Sequence, residues 1–544
     1  MRGRTTSDRS GDRPVRRPRR RVLLPVLLAA IVVLSAGAVV LVEYGRHTGS
    51  AGGVAHSAGA AARNMHRGPV ARDASALPPA ADWETSSPPG TRIEGYADVT
   101  SVLPGGQVRL FVSASGTSYA VSAFRMGSYG ASMAGLAWHG GPFSVVPQPK
   151  ATEIAATRTV MTAWTPTATL ETTTWPPGAY LLRLEGSDGA QGYVPLTVRS
   201  PSVAGKIVII QAVTDWEAYN DWGGLSLYHG RDGVPASRSY AVTFDRPYAE
   251  QAGAGDFLGN ELPLVAFAEK LHLPLAYVTD IDLHEDPNLL DRAAAVVSPG
   301  HDEYYSTAMR DALTRARDAG SNVFFLGANA AYRHIRLSST ALGPDRLQTD
   351  YKSADLDPVT ASDPGESTTQ WRSPPVSRPE SALIGGFYQC NPTQAHLVVA
   401  PRLSWLTEGL GLHPGQRLGT LVGPEYDRVD LSVTTPHPLQ VLFHSPLVCT
   451  ATVHRADASD VTYYTARSGA GVFDAGTSKW VCALNDTACG SGWGDPASYR
   501  IVRRVTQRLL ETAVAGPLGR THPAVDTTGG PPGPNDGIAG IADR

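Results

Sequence analysis

The sequence predicts an α/β protein in which a doubly wound parallel sheet follows a β-sandwich. From residue 204 onward, apolar strand-like runs alternate with helical patterns, which is typical of parallel sheets. Residues 81–200 instead carry alternating and β-branched segments between clusters of Gly, Pro and Asp, which indicates an immunoglobulin-like antiparallel sandwich. At 544 residues the chain is too long for one core, so we expect two main domains, 81–200 and 204–515.

The N-terminus predicts a membrane anchor. A basic, Pro-rich tail at 1–21 precedes an uncharged run at 22–42, and we place the anchor at 22–44. At about 1.5 Å per residue the run spans roughly 30 Å, one hydrocarbon core. The basic flank predicts a cytoplasmic tail and an extracytoplasmic remainder, hence a single-pass protein of the cell membrane. The alternative is a cleaved signal peptide and secretion, for which SAGA at 35–38 offers a site.

Two further segments of the sequence predict flexible chain, and the overall charge argues against nucleic acid as a partner. Residues 45–80 are rich in Gly, Ala and Ser and predict a linker, while the Pro/Gly-rich residues 516–544 predict a disordered tail. The formal net charge of −3 argues against nucleic-acid binding by the whole molecule.

The cysteines agree with export. All four lie late in the chain, and an even number in an extracytoplasmic protein indicates disulfides. Cys482 and Cys489 could close a small loop, and Cys390 with Cys449 would then form the other bridge. Three pairings are formally open.

The α/β region places polar residues after its strands. The predicted strands are KIVIIQ, SYAVTF, LAYVTD, AAAVVS and SNVFFLGAN, and the clearest helices are GNELPLVAFAEKLHL and TAMRDALTRARDAG. Ligands of such sheets bind beyond the carboxyl ends of the strands. The segments found there are VTDWEAYN, VTDIDLHED, SPGHDEYYS and FLGANAAY. We therefore expect the chemistry of the protein at these four segments.

Several common sites are absent from the sequence. It contains no G-x-S-x-G elbow, no H-E-x-x-H and no Walker A loop, and no cysteine follows the strand at 293–298. The strand ends offer oxygen donors, with one histidine and one asparagine nearby. The donors are Tyr219, Tyr228, Tyr248, Asp302, Glu303 and Glu425, and the neighbours are His301 and Asn329. Carboxylate and phenolate suit a hard cation, Fe(III) above all, and His301 could serve as a base near neutral pH.

Each of these residues also has a structural interpretation. Asp302 or Glu303 could cap the helix expected near Tyr304, where a helix N-terminus favours negative charge. Tyrosines in strand-end loops commonly pack against neighbouring side chains, and Asn329 could be a turn residue.

Six ordered motifs resemble the large-subunit family of N,N-dimethylformamidase. They are VTDWEAYNDWGGLSLY, VTFDRPY, VTDIDLHEDP, SPGHDEYYS, FLGANAAYRHIRL and SGAGVFDAGT, and the likeness extends from about 90 to 512. The resemblance implies a flavodoxin-like catalytic domain, similar to a class I glutamine amidotransferase without its cysteine. It also implies a mononuclear iron, held by two tyrosines and one glutamate, that hydrolyses a small amide.

The resemblance also implies residue roles. The GHDE match makes Glu303 the carboxylate ligand and a catalytic residue together with His301. The AYN match makes Tyr219 one tyrosine ligand. The second falls on Tyr248 in FDRPY, with Tyr228 as the alternative. Asn329 and Glu425 fall where substrate-binding residues are expected.

These observations lead us to expect an iron-dependent amide hydrolase at the outer face of the membrane, with Fe(III) as cofactor. Its substrate would be a small amide or an envelope-derived compound, and the chain could form a homo-oligomer. The sequence does not indicate a small subunit. The alternative is a non-catalytic envelope module that binds its ligand by sugar stacking on aromatic side chains: Trp216, Trp222, Tyr304 and Tyr305.

Overall fold

A computed structural model describes residues 73–88, 90–449, 455–485 and 489–529. All of them belong to one compact unit. Strand residues outnumber helical ones, 33% against 18%.

The first ten strands form a β-rich region. They are β1 (Ile93–Ala97), β2 (Ser101–Val102), β3 (Gln107–Ala114), β4 (Ser118–Tyr129), β5 (Ser132–Ser144), β6 (Thr152–Ile154), β7 (Thr159–Met161), β8 (Ala168–Glu171), β9 (Gly178–Gly186) and β10 (Gln191–Val198). One sheet has the order β1-β3-β8 and a larger one the order β2-β10-β9-β4-β5, while β6 and β7 pair separately. Alternate residues such as Val108, Val121 and Leu182 fill the core that the two sheets share.

The larger sheet of this region is buried on both faces. On its second face, Phe124 of β4 and Leu181 of β9 join the core of the following region. Arg125 of β4 also donates to Glu269 across the same boundary, at 2.5 Å. This double burial explains why β9 is buried along nearly its whole length rather than at alternate residues.

The remaining strands build one main sheet and several small ones. They are β11 (Ile207–Gln211), β12 (Ala241–Thr243), β13 (Leu275–Thr279), β14 (Ala295–Ser298), β15 (Tyr304–Tyr305), β16 (Asn322–Phe325), β17 (Arg333–His334), β18 (Arg336–Thr340), β19 (Gly343–Thr349), β20 (Phe387–Cys390), β21 (Tyr426–Arg428), β22 (Leu439–Cys449), β23 (Arg455–Thr465) and β24 (Gly471–Asp474). The main sheet has the order β13-β11-β14-β16-β24-β23-β22. Its first five strands pair in parallel, and β23 and β22 complete it antiparallel.

The α-helices are few and mostly short. They are α1 (Val213–Tyr219), α2 (Phe257–Asn260), α3 (Leu262–Lys270), α4 (Asp280–Glu285), α5 (Thr307–Asp318), α6 (Ser381–Ile384) and α7 (Pro496–Ala513). Only α5 and α7, among the described residues, exceed ten residues. Asp495 caps α7, and Ser306 caps α5, each accepting backbone N–H groups of the first turn.

The predicted fold class is wrong. The described residues hold more strand than helix, arranged in several sheets, and they do not form a flavodoxin-like parallel sheet flanked by regular helices. Strands β22 and β23 add two antiparallel strands to the main sheet. Local strand–helix alternation predicted parallel pairing, but it carried no information about strands that join from far along the chain.

The predicted membrane location is also corrected. In the part of the chain that the structure describes, no helix is both long enough and apolar enough to cross a bilayer. The predicted anchor at 22–44, the tail at 1–21 and most of the linker lie outside the described residues.

The four cysteines form the two disulfides that the sequence suggested. Cys390 is bonded to Cys449, and Cys482 to Cys489, which confirms the two disulfides. Residues 516–529, which we assigned to the C-terminal tail, pack along β22, where Val441 donates its N–H to Thr527 at 2.9 Å.

Candidate active site

Helix α1 begins two residues after β11, and its polar side chains point to two different faces of the helix. Asp215 and Tyr219 are four residues apart and therefore point to the same side of the helix. Glu217 lies between them and points elsewhere, to Arg246, which donates to it at 2.7 Å. The carboxyl end of the first parallel strand thus presents one carboxylate and one phenol to the turn that follows β14.

The turn after β14 places His301 between two carboxylates. Its Nδ1 lies 2.7 Å from Asp215 Oδ2, and its Nε2 lies 2.8 Å from Glu425 Oε2. Asn391 donates to the other oxygen of Glu425 at 2.9 Å. Burial opposes the charge of the imidazolium, but the two carboxylates outweigh it and raise the pKa of His301 well above its ordinary value. The ring is therefore held at both nitrogens, and the two carboxylates favour its charged form.

Three oxygen atoms from three segments form a triangle next to this histidine. The Tyr219 hydroxyl lies 3.0 Å from Glu303 Oε2, the Tyr228 hydroxyl lies 2.7 Å from the same oxygen, and the two hydroxyls are 2.7 Å apart. The chain of hydroxyls continues through Tyr304, 2.6 Å from Tyr228, to the ammonium of Lys352 at 3.0 Å. Burial, followed by the charge of Glu303, raises the pKa of both triangle tyrosines well above the usual phenol range.

Glu303 is the anion of the triangle. Burial opposes its charge, yet Arg333 and Lys352 outweigh burial and lower its pKa. Arg333 Nε lies 3.3 Å from Glu303 Oε1. The backbone N–H of Glu303 donates to Asp215 at 3.1 Å, which ties the triangle to the His301 cluster.

The donor set fits a cation. Neighbouring positions of an octahedron with metal–oxygen bonds of about 2.0 Å lie about 2.8 Å apart, close to the edges of the triangle. A second set, Asp215, His301 and Glu303, also brings one ligand atom from each residue within 4.8 Å of the others. Glu303 belongs to both sets. The chain therefore has a three-residue site that could hold a metal ion.

The structure separates the two tyrosines that we considered as second ligand. Tyr228 lies in the triangle, whereas Tyr248 packs edge-on against Trp216, with ring centroids 6.2 Å apart. No described hydrogen bond joins Tyr248 to Glu303. Both tyrosines lie in loops, and nothing in the residues around them indicates which one reaches Glu303.

Asn329 lies at the carboxyl end of β16, next to this site. It adopts a left-handed backbone with φ of 63°, which is uncommon for a non-glycine residue. Its N–H donates to Asp427 at 2.9 Å, and its side-chain oxygen is buried with no described partner. A buried amide oxygen held in a strained turn is consistent with a ligand contact.

Two expectations from the sequence, one about a helix cap and one about sugar stacking, differ from what the structure shows. Asp302 does not cap a helix; it accepts from Ser298 and Tyr305, and Ser306 takes the capping position of α5. Trp216, Tyr304 and Tyr305 are buried, so their rings are not open to a sugar.

Sequence reasoning missed four residues of the site: Asp215, Arg333, Lys352 and Asn391. The i, i+4 spacing of Asp215 and Tyr219 on a helix was a signal that could have identified the first. Arg333 stands in the FLGANAAYRHIRL motif, four residues after Asn329, and could have been found there, whereas Lys352 and Asn391 come from segments further along the chain that no local pattern marks.

A family model described as N,N-dimethylformamidase beta subunit-like, C-terminal, matches residues 120–494. The chain belongs to this family. The match includes every residue of the triangle and of the His301 cluster, so the resemblance seen in the sequence is confirmed. No curated protein matches the chain.

A comparison with solved structures adds nothing to this assignment. A cycloisomaltooligosaccharide glucanotransferase from Paenibacillus sp. aligns over 77% of this chain and 81% of its own, at 10% identity and a TM-score of 0.15. At that score the likeness carries no argument about fold or function.

Proposed function

We propose that the protein hydrolyses an amide C–N bond at an iron ion held by Tyr219, Tyr228 and Glu303. The buried triangle of three oxygen atoms, with edges of 2.7, 2.7 and 3.0 Å, is the observation that carries the proposal. Membership of a family described by N,N-dimethylformamidase supports the reaction class.

The donor chemistry favours iron. Two phenol oxygens and a carboxylate are hard ligands, which suit Fe(III) and do not suit copper(I) or a thiolate-type zinc site. We assign the second tyrosine to Tyr228 rather than Tyr248, because only Tyr228 lies within hydrogen-bond distance of both Glu303 and Tyr219. Iron bound there would supply Lewis acidity, which polarises a carbonyl oxygen and lowers the pKa of water.

The protein's own residues supply proton transfer and orientation. His301 lies beside the triangle, with its ring 5.5 Å from that of Tyr219. As water adds to the carbonyl carbon and the C–N bond breaks, the leaving amine would take the proton from His301 Nε2, and the proton released by the water would return to that nitrogen. Asp215 fixes the ring through Nδ1, and Glu425 accepts from Nε2. The amide side chain of Asn329 would orient the substrate amide.

Metal content and the visible absorption spectrum of the purified full chain test this assignment. We expect stoichiometric iron and a phenolate-to-iron charge-transfer band. Tyr219→Phe and Tyr228→Phe should each weaken or abolish the band, because each removes one phenolate.

Tyr248→Phe is the matched control and should leave the band unchanged. A band that disappears in Tyr248→Phe and persists in Tyr228→Phe would reverse the ligand assignment. A colourless protein that takes up no iron on reconstitution would contradict the iron site itself.

A further inference from the structure

Arg333 is held beside the triangle with most of its hydrogen-bonding capacity unused. Its backbone N–H donates to the carbonyl of Glu303 at 2.9 Å, and its Nε donates to Glu303 Oε1 at 3.3 Å. The side chain is 15% exposed. Within the described residues, its two terminal nitrogens, Nη1 and Nη2, donate no hydrogen bond. Four N–H groups therefore have no acceptor among the described residues.

The most buried arginines among the described residues do not leave these nitrogens open. Arg125, Arg246, Arg310 and Arg346 each donate through both Nη1 and Nη2 to carboxylates, carbonyls or a hydroxyl. A buried donor without an acceptor is costly, which explains why these four are saturated. Arg333 is less buried than these four, and its open nitrogens are not among the buried polar atoms that lack a partner, so water or a substrate can reach them.

The neighbouring residues that the structure describes hold the guanidinium of Arg333 in place but do not accept hydrogen bonds from its Nη1 and Nη2. Its central carbon lies 4.9 Å from the ring centre of Tyr332, and β17 pairs with β15 so that Arg333 sits opposite Tyr304. Glu303 takes only the Nε–H. Asp350 and Glu303 both attract the charge of Arg333, Asp350 more strongly, but among the described residues neither accepts a hydrogen bond from Nη1 or Nη2.

We propose that Arg333 binds a carboxylate of the substrate through Nη1 and Nη2, so that the substrates are amides bearing a carboxylate close to the scissile bond, such as N-acyl amino acids. The planar guanidinium matches the two oxygens of a carboxylate. Four buried acids already surround the site, namely Asp215, Glu303, Asp350 and Glu425. A singly charged group is therefore favoured over a dianionic phosphate. This inference rests on the proposed amide hydrolysis.

A matched pair of substrates tests it in the iron-loaded protein. N-formylglycine carries the carboxylate, and N-formylglycinamide has nearly the same size without the charge. We expect kcat/KM for N-formylglycine to exceed that for the amide by about tenfold or more, mainly through KM. In Arg333→Gln the ratio should fall to about one. Arg333→Lys should keep only part of it, because an ammonium cannot form the paired contact.

Arg504→Gln, at an exposed arginine of α7, is the control and should leave the ratio unchanged. Equal kcat/KM for the two substrates in the wild type, or an unchanged ratio in Arg333→Gln, would overturn the proposal.

A binding measurement separates this proposal from the proposed reaction. N-formylglycine should raise the Tm of the wild type, N-formylglycinamide should raise it less, and the difference should vanish in Arg333→Gln. That pattern without any turnover would overturn the hydrolysis and keep the carboxylate site. Equal shifts from the two compounds would overturn the site, whether or not turnover occurs.

Discussion

Two buried clusters begin on opposite faces of α1 and are built in opposite ways. Glu217 pairs with Arg246, and both side chains are fully buried. Arg246 also donates to the carbonyls of Asn220, Trp222 and Leu225, so this cluster closes on itself. On the other face, Asp215 belongs to a group of carboxylates and phenols. The arginine of this group, Arg333, donates only one side-chain hydrogen bond to a described residue, from Nε to Glu303.

The difference teaches how to separate a structural from a functional cluster in this protein. A buried charge whose partners are all protein groups stabilises a loop. A group such as Tyr219, Tyr228 and Glu303, whose oxygens face each other, needs a cation or shared protons to hold it together. The first cluster should respond to mutation in stability, and the second in metal binding and activity.

The largest effect should come from Glu303. In Glu303→Gln the only anion of the triangle is lost at nearly constant shape, so bound iron should fall by at least about tenfold and amide hydrolysis with it. Iron content and turnover measure both. Glu408→Gln, at an exposed glutamate, is the control. Full iron and activity in Glu303→Gln would remove this residue from the site.

A substitution of His301 distinguishes the two sets of residues that could hold the metal. If Tyr219, Tyr228 and Glu303 hold the metal, His301→Ala should keep iron and its absorption band while turnover falls about 10²- to 10⁴-fold, because the proton-transfer group is lost. If Asp215, His301 and Glu303 hold it, iron content should fall as well. Measuring both quantities on the same preparation decides between the sets.

Arg246 tests the closed cluster. Arg246→Met leaves Glu217 buried without its partner and removes the bonds to three carbonyls, so unfolding should become easier by about 3–5 kcal/mol. Urea unfolding measures this. Arg231→Met removes an exposed pair with Glu153 and should cost less than about 1 kcal/mol. Similar costs for the two variants would show that burial does not set the strength of these pairs.

A smaller effect is expected from His334, a buried histidine that stacks on Trp371. Burial lowers its pKa from 6.5 to about 4. The unfolded chain then binds a proton between pH 6.5 and 4 that the folded chain does not. Stability from this residue is therefore present above pH 6.5 and declines by at most about 3 kcal/mol as the pH falls to 4.

Unfolding free energies measured across this pH range should show a shallower slope in His334→Gln than in wild type. His413→Gln, at an exposed histidine, should keep the wild-type slope. An unchanged slope in His334→Gln would assign the acid sensitivity to other groups.

The sequence alone determined the family, the presence of disulfides and the segments that meet at the site, whereas the pairing of the cysteines came from the structure. These depend on residue types and short spacings, which are local properties: the GHDE turn after β14 brings His301 and Glu303 to a strand end, and α1 aligns Asp215 with Tyr219. Only the tertiary structure decided the antiparallel completion of the main sheet and the approach of Tyr228, rather than Tyr248, to Glu303.

The tertiary structure likewise decided that Glu425 reaches His301 from 124 residues away and that Arg333 keeps two nitrogens open. Such contacts arise where distant segments fold onto one another. Their distances depend on the packing of the whole sheet, which no local pattern encodes.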